Sequence, residues 1–410
     1  MSARCFSLAI IVALGLASCS SKCGQPCLAA SDWPEYRHDL FRTGNQANAS
    51  VLSDPDQVKK LVVRWTWTPP SPLPSGEGFE ASPIVVNDTV FIGSRYGTFY
   101  AIDASSGKTK WHYPPHGSLA KFLASFSTGI QSSASYLPVG PHGAVVFGAP
   151  DSSLKGYGYG SSRLIALDTQ SGKPIWKAGG SDKIATINDD TNCPTAKNVL
   201  HEKIGHSSPL VADSYIYVGV SDANDNPVQK GKVVAVDFGG HIRSNFSFVA
   251  AGTSGDEARG GGVWNAPAAD LGGGFYFPTG NSNDYCMPPW ENDPPEPIPN
   301  HGASMIRVTM PGAPSKPGGE ATPKGGTIAW AFAAVPFKLD QDTDWAAGAA
   351  IDYASCGELV PSVVKDGWAY ALRADTGKLA WQFPNTGYPF KKEPPLHTGQ
   401  DYRSPGALWN

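Results

Sequence analysis

Several side chains in the second half of the chain have types that suit chemistry at a bound ligand. Trp264 and Asn281 stand in glycine-rich stretches, Asp342 and Asp344 in an acidic one, and Lys365 precedes Asp-Gly. An indole can lie against a flat aromatic ligand, and amide and carboxylate oxygens suit a hard cation such as Ca²⁺. A carboxylate within hydrogen-bond reach can remove a proton from a bound molecule. These five residues are therefore candidates for a ligand site.

Each candidate also has a simpler interpretation. Asn281 would serve equally well in a Gly-Asn turn that caps a strand. The acidic stretch around Asp344 would serve as a solvated loop. A lysine at any hairpin turn would look much like Lys365. The residue types alone leave both interpretations open.

A short repeated phrase indicates which elements position these residues. The phrase joins an apolar strand, a polar turn with a glycine and a second strand with a tryptophan, and it occurs at 101–111, 166–176 and 371–381. A looser copy at 235–246 has Phe246 near the tryptophan position. Because the turn glycine can take a positive φ, each copy is predicted to be a β-hairpin. A recurring phrase is a supersecondary unit, so the fold is predicted to be a repeat array.

The segments around these phrases predict about four short strands in each unit. Four-stranded antiparallel units, each with an aromatic motif, indicate an all-β fold, a β-propeller. Five blades are recognisable, and Ser404–Asn410 has the pattern of the start of a sixth. Leu61–Trp67 has the pattern of an outer strand that completes a last blade. The ring is therefore predicted to be incomplete, which suggests a fragment of a longer protein or a chain that has lost its function.

Composition agrees with this fold and excludes some partners. The 410 residues include 46 glycines and 36 prolines, which suits many tight turns and edge strands. Charged residues make up 17% and the formal net charge is −4. Without a basic run there is no electrostatic case for binding nucleic acid or an anionic membrane surface.

The N-terminus is predicted to be an export signal. Residues 1–19 combine an early arginine with an apolar run too short to span a bilayer, and they end in Leu16-Ala17-Ser18-Cys19. These four residues resemble the lipoprotein box of bacteria, in which the cysteine is lipidated. Ordinary cleavage after Ala17 is the alternative. The prediction is a periplasmic protein held at the outer membrane by a lipid on Cys19, with 20–31 as a tether and 32–410 as the propeller domain.

The repeated phrase, together with Asp32–Asp39 and Arg42-Thr43-Gly44, resembles the pyrroloquinoline quinone (PQQ) repeat proteins, which are propellers like the quinoprotein alcohol dehydrogenases. The resemblance covers nearly all of the chain after the signal. It implies that Trp111, Trp176 and Trp381 pack as staples between neighbouring blades, a structural role.

The resemblance also implies roles for the candidate residues. Trp264 falls on the tryptophan that forms the floor under the quinone, and Asn281 falls on a calcium ligand. The acidic stretch is most similar to the polyvinyl-alcohol-dehydrogenase branch, which implies Asp344 as the catalytic base, with Asp342 as second choice. Lys365 falls on the basic residue beside the quinone oxygens. The implied cofactors are PQQ and Ca²⁺.

The loop after Gly219 departs from the family pattern. The family places a calcium-binding glutamate there, whereas this chain has Ser221 followed by acidic and amide residues. Ser221 is a candidate for cofactor binding, and Asn224 and Asp225 are candidates for the metal. A vicinal pair of cysteines and a haem-attachment motif are both missing from the sequence, so electrons would pass to an external acceptor.

Two functional hypotheses follow. In the first, the chain is an exported, calcium-dependent quinoprotein that oxidises an alcohol, either a small molecule or a polymer. In the second, it is a non-catalytic lipoprotein propeller that acts as a scaffold for other proteins. A converging set of Trp264, Asp344 and Lys365 at the axis would favour the first hypothesis.

Overall fold

The computed structural model describes the protein over most of the repeat region. The described residues are 28–70, 78–116, 129–150, 161–177, 179–184, 202–222, 231–247, 259–280, 282–283, 301–309, 327–334, 344–354, 357–365 and 367–384. The predicted signal, Cys19 and most of the predicted tether lie outside these ranges.

The strands form consecutive antiparallel sheets, each a blade of the propeller. Blade 1 contains β1 (Ile84–Val86), β2 (Thr89–Gly93), β3 (Phe99–Asp103) and β4 (Thr109–Tyr113). Blade 2 contains β5 (Ser135–Leu137), β6 (Ala144–Pro150) and β7 (Ser161–Asp168). Its outer edge is completed only by a single bridge between Leu167 and Pro174. The short strand β8 (Glu202–Lys203) precedes blade 3, which contains β9 (Leu210–Ala212), β10 (Tyr215–Asp222), β11 (Lys232–Asp237) and β12 (Ile242–Ser247).

Two further blades follow. Blade 4 is built from β14 (Ala268–Ala269), β15 (Gly274–Pro278), β17 (Ser304–Thr309) and β18 (Thr327–Ala333), with β13 (Arg259–Gly260) and β16 (Ser282–Asn283) paired beside it. Blade 5 is built from β19 (Asp352–Ala354), β20 (Gly357–Val363), β21 (Trp368–Arg373) and β22 (Leu379–Pro384). A 3₁₀-helix (Ser50–Ser53) and the short α1 (Pro55–Val58) precede blade 1. The prediction of an all-β propeller with five blades is confirmed, and no ring closure occurs among the described residues.

The hydrophobic core lies in layers between neighbouring blades. Successive side chains of a strand point to opposite faces, so a central strand contributes to two layers. On β6, Phe147 stacks on Phe99 of blade 1 with ring centroids 4.0 Å apart, whereas Val146 packs with Val218 of blade 3. The same arrangement places Tyr217 of β10 in the layer shared with blade 4. Blades 2, 3 and 4 are therefore each held by a neighbouring blade on both faces.

Tryptophan side chains tie one blade to the turn of the next. In each case the indole Nε1 donates to a carbonyl in that turn, from Trp65 to Ala104 at 3.0 Å, Trp111 to Thr169 at 3.0 Å, Trp176 to Phe238 at 2.9 Å and Trp330 to Ala374 at 2.9 Å. The ring lies over a turn glycine of positive φ, namely Gly107, Gly172, Gly240 and Gly377. The predicted hairpin turns and the staple role of Trp111 and Trp176 are therefore observed.

Trp381 differs from this expectation. It lies on β22, at the edge of the described blades, and its side chain is 45% exposed. The segment 61–67 also differs in part, because it is not assigned as a strand. Nevertheless Trp65 in this segment staples blade 1 in the same way as the other three tryptophans. Trp65 thus stands where the outer strand of a preceding blade would place it.

A segment ahead of blade 1 crosses the inner strands of all five blades. Backbone hydrogen bonds join Trp33 to Val85, Pro34 to Tyr136, Leu40 to Ala269 and Phe41 to Ile351. The remaining blade, blade 3, is reached through the side chain of Arg42, which donates to the Pro209 carbonyl oxygen. This segment, residues 33–42, therefore holds the innermost part of each described blade.

Candidate active site

The segments just before the inner strands of blades 1, 2 and 3 are joined by hydrogen bonds between serines. The Ser82 N–H donates to Ser133 Oγ at 2.9 Å, and the Ser133 N–H donates to Ser208 Oγ at 3.0 Å. Two residues before these serines stand Glu80 in blade 1, Gln131 in blade 2 and His206 in blade 3. The serine contacts therefore place these three side chains at equivalent positions.

These side chains meet. Gln131 Nε2 donates to Glu80 Oε2 at 2.7 Å, and His206 Nε2 lies 3.4 Å from the same oxygen. Arg95 Nε lies 3.1 Å from the other oxygen, Glu80 Oε1. Burial would raise the pKa of Glu80, but the hydrogen bonds from His206 and Gln131 and the charge of Arg95 together hold that pKa below its usual value. Glu80 is therefore the centre of a charged cluster.

Trp264 extends this cluster toward blade 5. Its ring lies 6.0 Å from the His206 ring at an interplanar angle of 75°. Its Nε1 donates to Asp344 Oδ2 at 2.8 Å. Trp264 is only partly buried. Trp264 thus connects the group around Glu80 with Asp344.

Asp344 and Lys365 are brought together by the entry into blade 5. An isolated β-bridge pairs Trp345 with Val364, and the Lys365 N–H donates to the Asp344 carbonyl oxygen at 3.0 Å. Lys365 Nζ then lies 2.7 Å from Asp344 Oδ1 and 5.6 Å from the centroid of the Trp264 ring. One oxygen of the buried Asp344 carboxylate therefore accepts a hydrogen bond from Trp264, and the other forms an ion pair with Lys365.

Trp345 anchors this arrangement in the core. Its side chain is fully buried, and its Nε1 donates to the Ala303 carbonyl oxygen at 3.0 Å. Asn265 Nδ2 donates to the Trp345 carbonyl oxygen at 2.6 Å. The residues next to Trp264 and Asp344 are thus bonded to each other, which fixes the distance between the two side chains.

Ser221 lies close to Trp264 at the end of β10. A Cβ atom on Gly205 would lie 3.6 Å from Ser221 Oγ and 3.6 Å from the Trp264 Cβ atom. Ser221 is buried, and its cross-strand partner on β8 is Lys203, which is also buried. The side chains of Lys203, Ser221 and Trp264 therefore surround the same point, where an alanine at 205 would make ordinary van der Waals contacts with all three.

The structure brings together Trp264, Asp344, Lys365 and Ser221 from the predicted set. The other predicted residues lie outside the described residues, namely Asp342, Asn281, Asn224, Asp225 and Cys19. Within the described ranges, histidine, cysteine and acidic side chains form no group of three that could hold a metal ion.

Glu80, Arg95, Gln131 and His206 were not predicted from the sequence. The signal available was their position rather than their type, because three of them stand two residues before a serine at the start of an inner strand. Together with Trp264, Asp344 and Lys365 they form a partly accessible aromatic surface with cations and carboxylates around it. Such a surface suits a flat, anionic aromatic ligand.

The chain belongs to a known family. Residues 33–286 match the family described as PQQ, the β-propeller domain of glucose/ethanol/alcohol dehydrogenases. The predicted membership of the PQQ repeat proteins is thereby confirmed. The similarity to the polyvinyl-alcohol-dehydrogenase branch stays a prediction.

Individual relatives match part of the chain. The 1-butanol dehydrogenase (cytochrome c) of Thauera butanivorans is 28% identical over 149 residues, which cover 36% of this chain and 19% of that protein. The quinoprotein glucose dehydrogenase of Escherichia coli is 28% identical over 201 residues, which cover 47% of this chain and 24% of that protein. The matched parts are therefore short relative to both dehydrogenases.

Solved structures match more of the chain. The quinohemoprotein alcohol dehydrogenase from Comamonas testosteroni has a TM-score of 0.57 at 19% identity, and the match covers 86% of this chain and 49% of that one. A europium-containing methanol dehydrogenase has a TM-score of 0.55 at 18% identity, and the match covers 87% of this chain and 58% of that one. At these identities the likeness shows the fold alone. The chain spans about half the length of the solved structures that it matches.

Among the described residues, no helix has the length and apolar character needed to cross a membrane.

Proposed function

We propose that this chain is a quinoprotein that binds PQQ together with Ca²⁺ and oxidises an alcohol. The observation that carries the proposal is the contact of Trp264, Asp344 and Lys365 at the starts of the inner strands. A propeller needs no such group for its stability, because the core between blades and the tryptophan staples supply it. Family membership supplies the class of cofactor.

The described residues fit a flat, anionic quinone. Trp264 offers a partly buried indole against which an aromatic ring could stack. Lys365, next to the Trp264 ring, and Arg95, next to Glu80, could face carboxylate or carbonyl oxygens of a ligand. Ser221 can donate a hydrogen bond from its hydroxyl group. When bound, PQQ would supply a carbonyl that accepts a hydride, and Ca²⁺ would polarise that carbonyl.

Asp344 would act as the base that takes the hydroxyl proton of the alcohol. A carboxyl group must be ionised to accept a proton, and the hydrogen bond from Trp264 Nε1 and the ion pair with Lys365 Nζ favour the carboxylate form. Its burial keeps water away and strengthens these interactions. Asp342 remains the second choice for this role.

The calcium ligands are proposed from the sequence. Asn281, Asn224 and Asp225 carry the amide and carboxylate oxygens that Ca²⁺ prefers. β15 and β10 lead toward these residues from the described part of the site, because Pro278 and Asp222 end the two strands. An external electron acceptor completes the reaction, since each alcohol oxidised to a carbonyl releases two electrons.

Export and anchoring complete the proposal. Residues 1–19 would direct the chain to the periplasm, and a lipid on Cys19 would hold it at the outer membrane through the tether 20–31. Residues 32–410 would form the PQQ-binding propeller domain. Mass spectrometry of the N-terminal peptide from membranes would show a lipidated Cys19, and an unmodified peptide that begins after residue 17 would contradict lipidation.

The test is calorimetric titration of the purified chain with PQQ, with and without Ca²⁺. We expect saturable binding that depends on Ca²⁺ and weakens about two- to tenfold in Trp264→Leu, since an aromatic pair contributes about 0.5–1.5 kcal/mol beyond buried area. Trp381→Leu is the matched control, because Trp381 is an exposed tryptophan at the edge of the described blades and should leave binding unchanged.

The catalytic role is tested with an alcohol and an artificial electron acceptor. Asp344→Asn should abolish turnover and retain PQQ binding, because the amide keeps the shape of the side chain but accepts no proton. A folded wild-type chain that binds no PQQ would refute the proposal and favour a non-catalytic scaffold. An Asp344→Asn variant with normal turnover would refute only the assignment of the base.

A further inference from the structure

Arg42 is fully buried and bridges three segments of the chain. Its Nε donates to the Pro267 carbonyl oxygen at 2.8 Å, and its Nη2 donates to the Pro209 carbonyl oxygen at 3.2 Å. Its Nη1 donates to Glu35 Oε2 at 2.7 Å and to the Tyr36 carbonyl oxygen at 2.8 Å. The guanidinium is therefore bonded on every nitrogen, which leaves it a single orientation.

Two of these acceptors lie on segments that lead from site residues into inner strands. Pro209 follows His206 by three residues and directly precedes β9, and Pro267 follows Trp264 by three residues and directly precedes β14. Three residues of fully extended chain span at most about 10 Å. Arg42 thus links the segment of His206 directly to the segment of Trp264.

The two residues before Arg42 extend this link. The Leu40 carbonyl oxygen accepts from the Ala269 N–H at 2.9 Å, on the strand that follows Trp264. The Phe41 carbonyl oxygen accepts from the Ile351 N–H at 2.7 Å, on the chain that runs from Asp344 into blade 5. Residues 40–42 therefore join the segments that carry all three of His206, Trp264 and Asp344.

We propose that Arg42 is a positioning residue for the candidate site. Its guanidinium sets the spacing between the segments that enter the inner strands of blades 3 and 4, and that spacing determines the contact of Trp264 with His206. The effect on the site's geometry stands without any ligand. The effect on PQQ binding rests on the proposed function.

The fork shape of arginine explains why a lysine cannot replace it. Two carbonyl oxygens on different strands are bonded by two different nitrogens held at a fixed angle, whereas lysine has one nitrogen on a flexible stem. Arg42→Lys keeps the positive charge beside Glu35, but it should lose at least one of the two strand contacts. The strands would then shift relative to each other while the fold persists.

The test uses the indole N–H groups as local probes. In a ¹⁵N–¹H spectrum of the ligand-free chain, the Trp264 cross-peak is assigned by its loss in Trp264→Phe. Arg42→Lys is expected to shift this cross-peak, since a change in the spacing of the two segments moves the His206 ring relative to the Trp264 indole. The Trp65 cross-peak, from a staple on blade 1, should stay in place. PQQ is expected to bind about ten- to a hundredfold more weakly, the loss that removing a residue behind the ligands causes at metal sites.

Trp111→Phe is the matched control. It removes a hydrogen bond between blades 1 and 2 without touching residues 33–42 or the site. It should lower stability yet leave the Trp264 cross-peak and PQQ affinity unchanged, which separates positioning from a general loss of stability. If Arg42→Lys does not fold, the double variant with Glu35→Gln removes the buried charge opposite the lysine, and the same shift is expected.

An unchanged Trp264 cross-peak in a folded Arg42→Lys chain would overturn the proposal. The cross-peak decides the positioning role even when the wild-type chain binds no PQQ. Failure of the proposed function and failure of this inference are therefore distinguishable.

Discussion

The tryptophan staples predict a large difference between two otherwise similar substitutions, Gly172→Ala and Gly140→Ala. Both glycines have a positive φ, +66° at Gly172 and +69° at Gly140. An alanine therefore meets similar backbone strain at both positions, about 1–2 kcal/mol. At Gly172 the added Cβ would lie 2.6 Å from the Trp111 ring, whereas at Gly140 it would meet nothing within 4 Å. The two variants thus differ mainly in the collision with Trp111.

The expected difference in unfolding free energy between the two variants follows from the cost of overpacking. Forcing an extra methyl group into a packed contact costs about 1–3 kcal/mol, and displacing the ring also weakens the bond from Trp111 Nε1 to the Thr169 carbonyl oxygen. Gly172→Ala should therefore lower the free energy of unfolding by about 1–3 kcal/mol more than Gly140→Ala. Urea denaturation followed by fluorescence measures both, compared at equal m-values. Equal urea midpoints for the two variants would refute the claim that the contact of Trp111 with the turn stabilises the fold.

Two further predictions concern tryptophan and the buried carboxyl group. Trp176→Phe should cost about 1–3 kcal/mol of unfolding free energy, because it leaves the Phe238 carbonyl oxygen without its donor. Trp381→Phe should stay within about 0.5 kcal/mol, because that ring is 45% exposed, and a similar loss in both would contradict the staple scheme. Burial raises the pKa of Glu35 from 4.5 to about 7, although Arg42 opposes the shift. The folded chain then holds a proton that the unfolded chain has released, so the unfolding free energy should fall as pH rises from about 4.5 to about 7, by at most about 3 kcal/mol. Glu35→Gln should flatten this part of the pH profile, and curves that stay parallel would argue against a raised pKa.

The blades could be predicted because their signal is local. A turn that requires a positive φ needs a glycine whatever the rest of the chain does, so the phrase around Gly172 identifies its hairpin without tertiary information. The extent of the described array was also readable from the repeats. Trp65 shows the limit of this reasoning, since its segment forms no assigned strand yet makes the predicted kind of contact.

The contacts of the site could not be predicted in the same way. The bond from Trp264 to Asp344 joins two blades across 80 residues of sequence, and its length depends on how the blades pack. The resemblance to a family suggested Trp264 and Asp344 as site residues. It did not predict that Trp264 would donate a hydrogen bond to one oxygen of the Asp344 carboxylate while Lys365 forms an ion pair with the other. Tertiary packing decides that geometry, and no local pattern encodes it.

Glu80 and His206 could not be predicted from the sequence for another reason. A search for repeats finds positions where the residue type recurs, and here the type differs in each blade while the backbone position recurs. The serine contacts hold the backbones of neighbouring blades together. The residue two positions before each serine can therefore differ in type from blade to blade. In consequence, four blades can place four different groups on one small region: an acid, an amide, an imidazole and an indole. The repeat thereby fixes the backbone positions. The positions at which the residue type differs between blades, rather than the repeated residues, indicate the candidate active site.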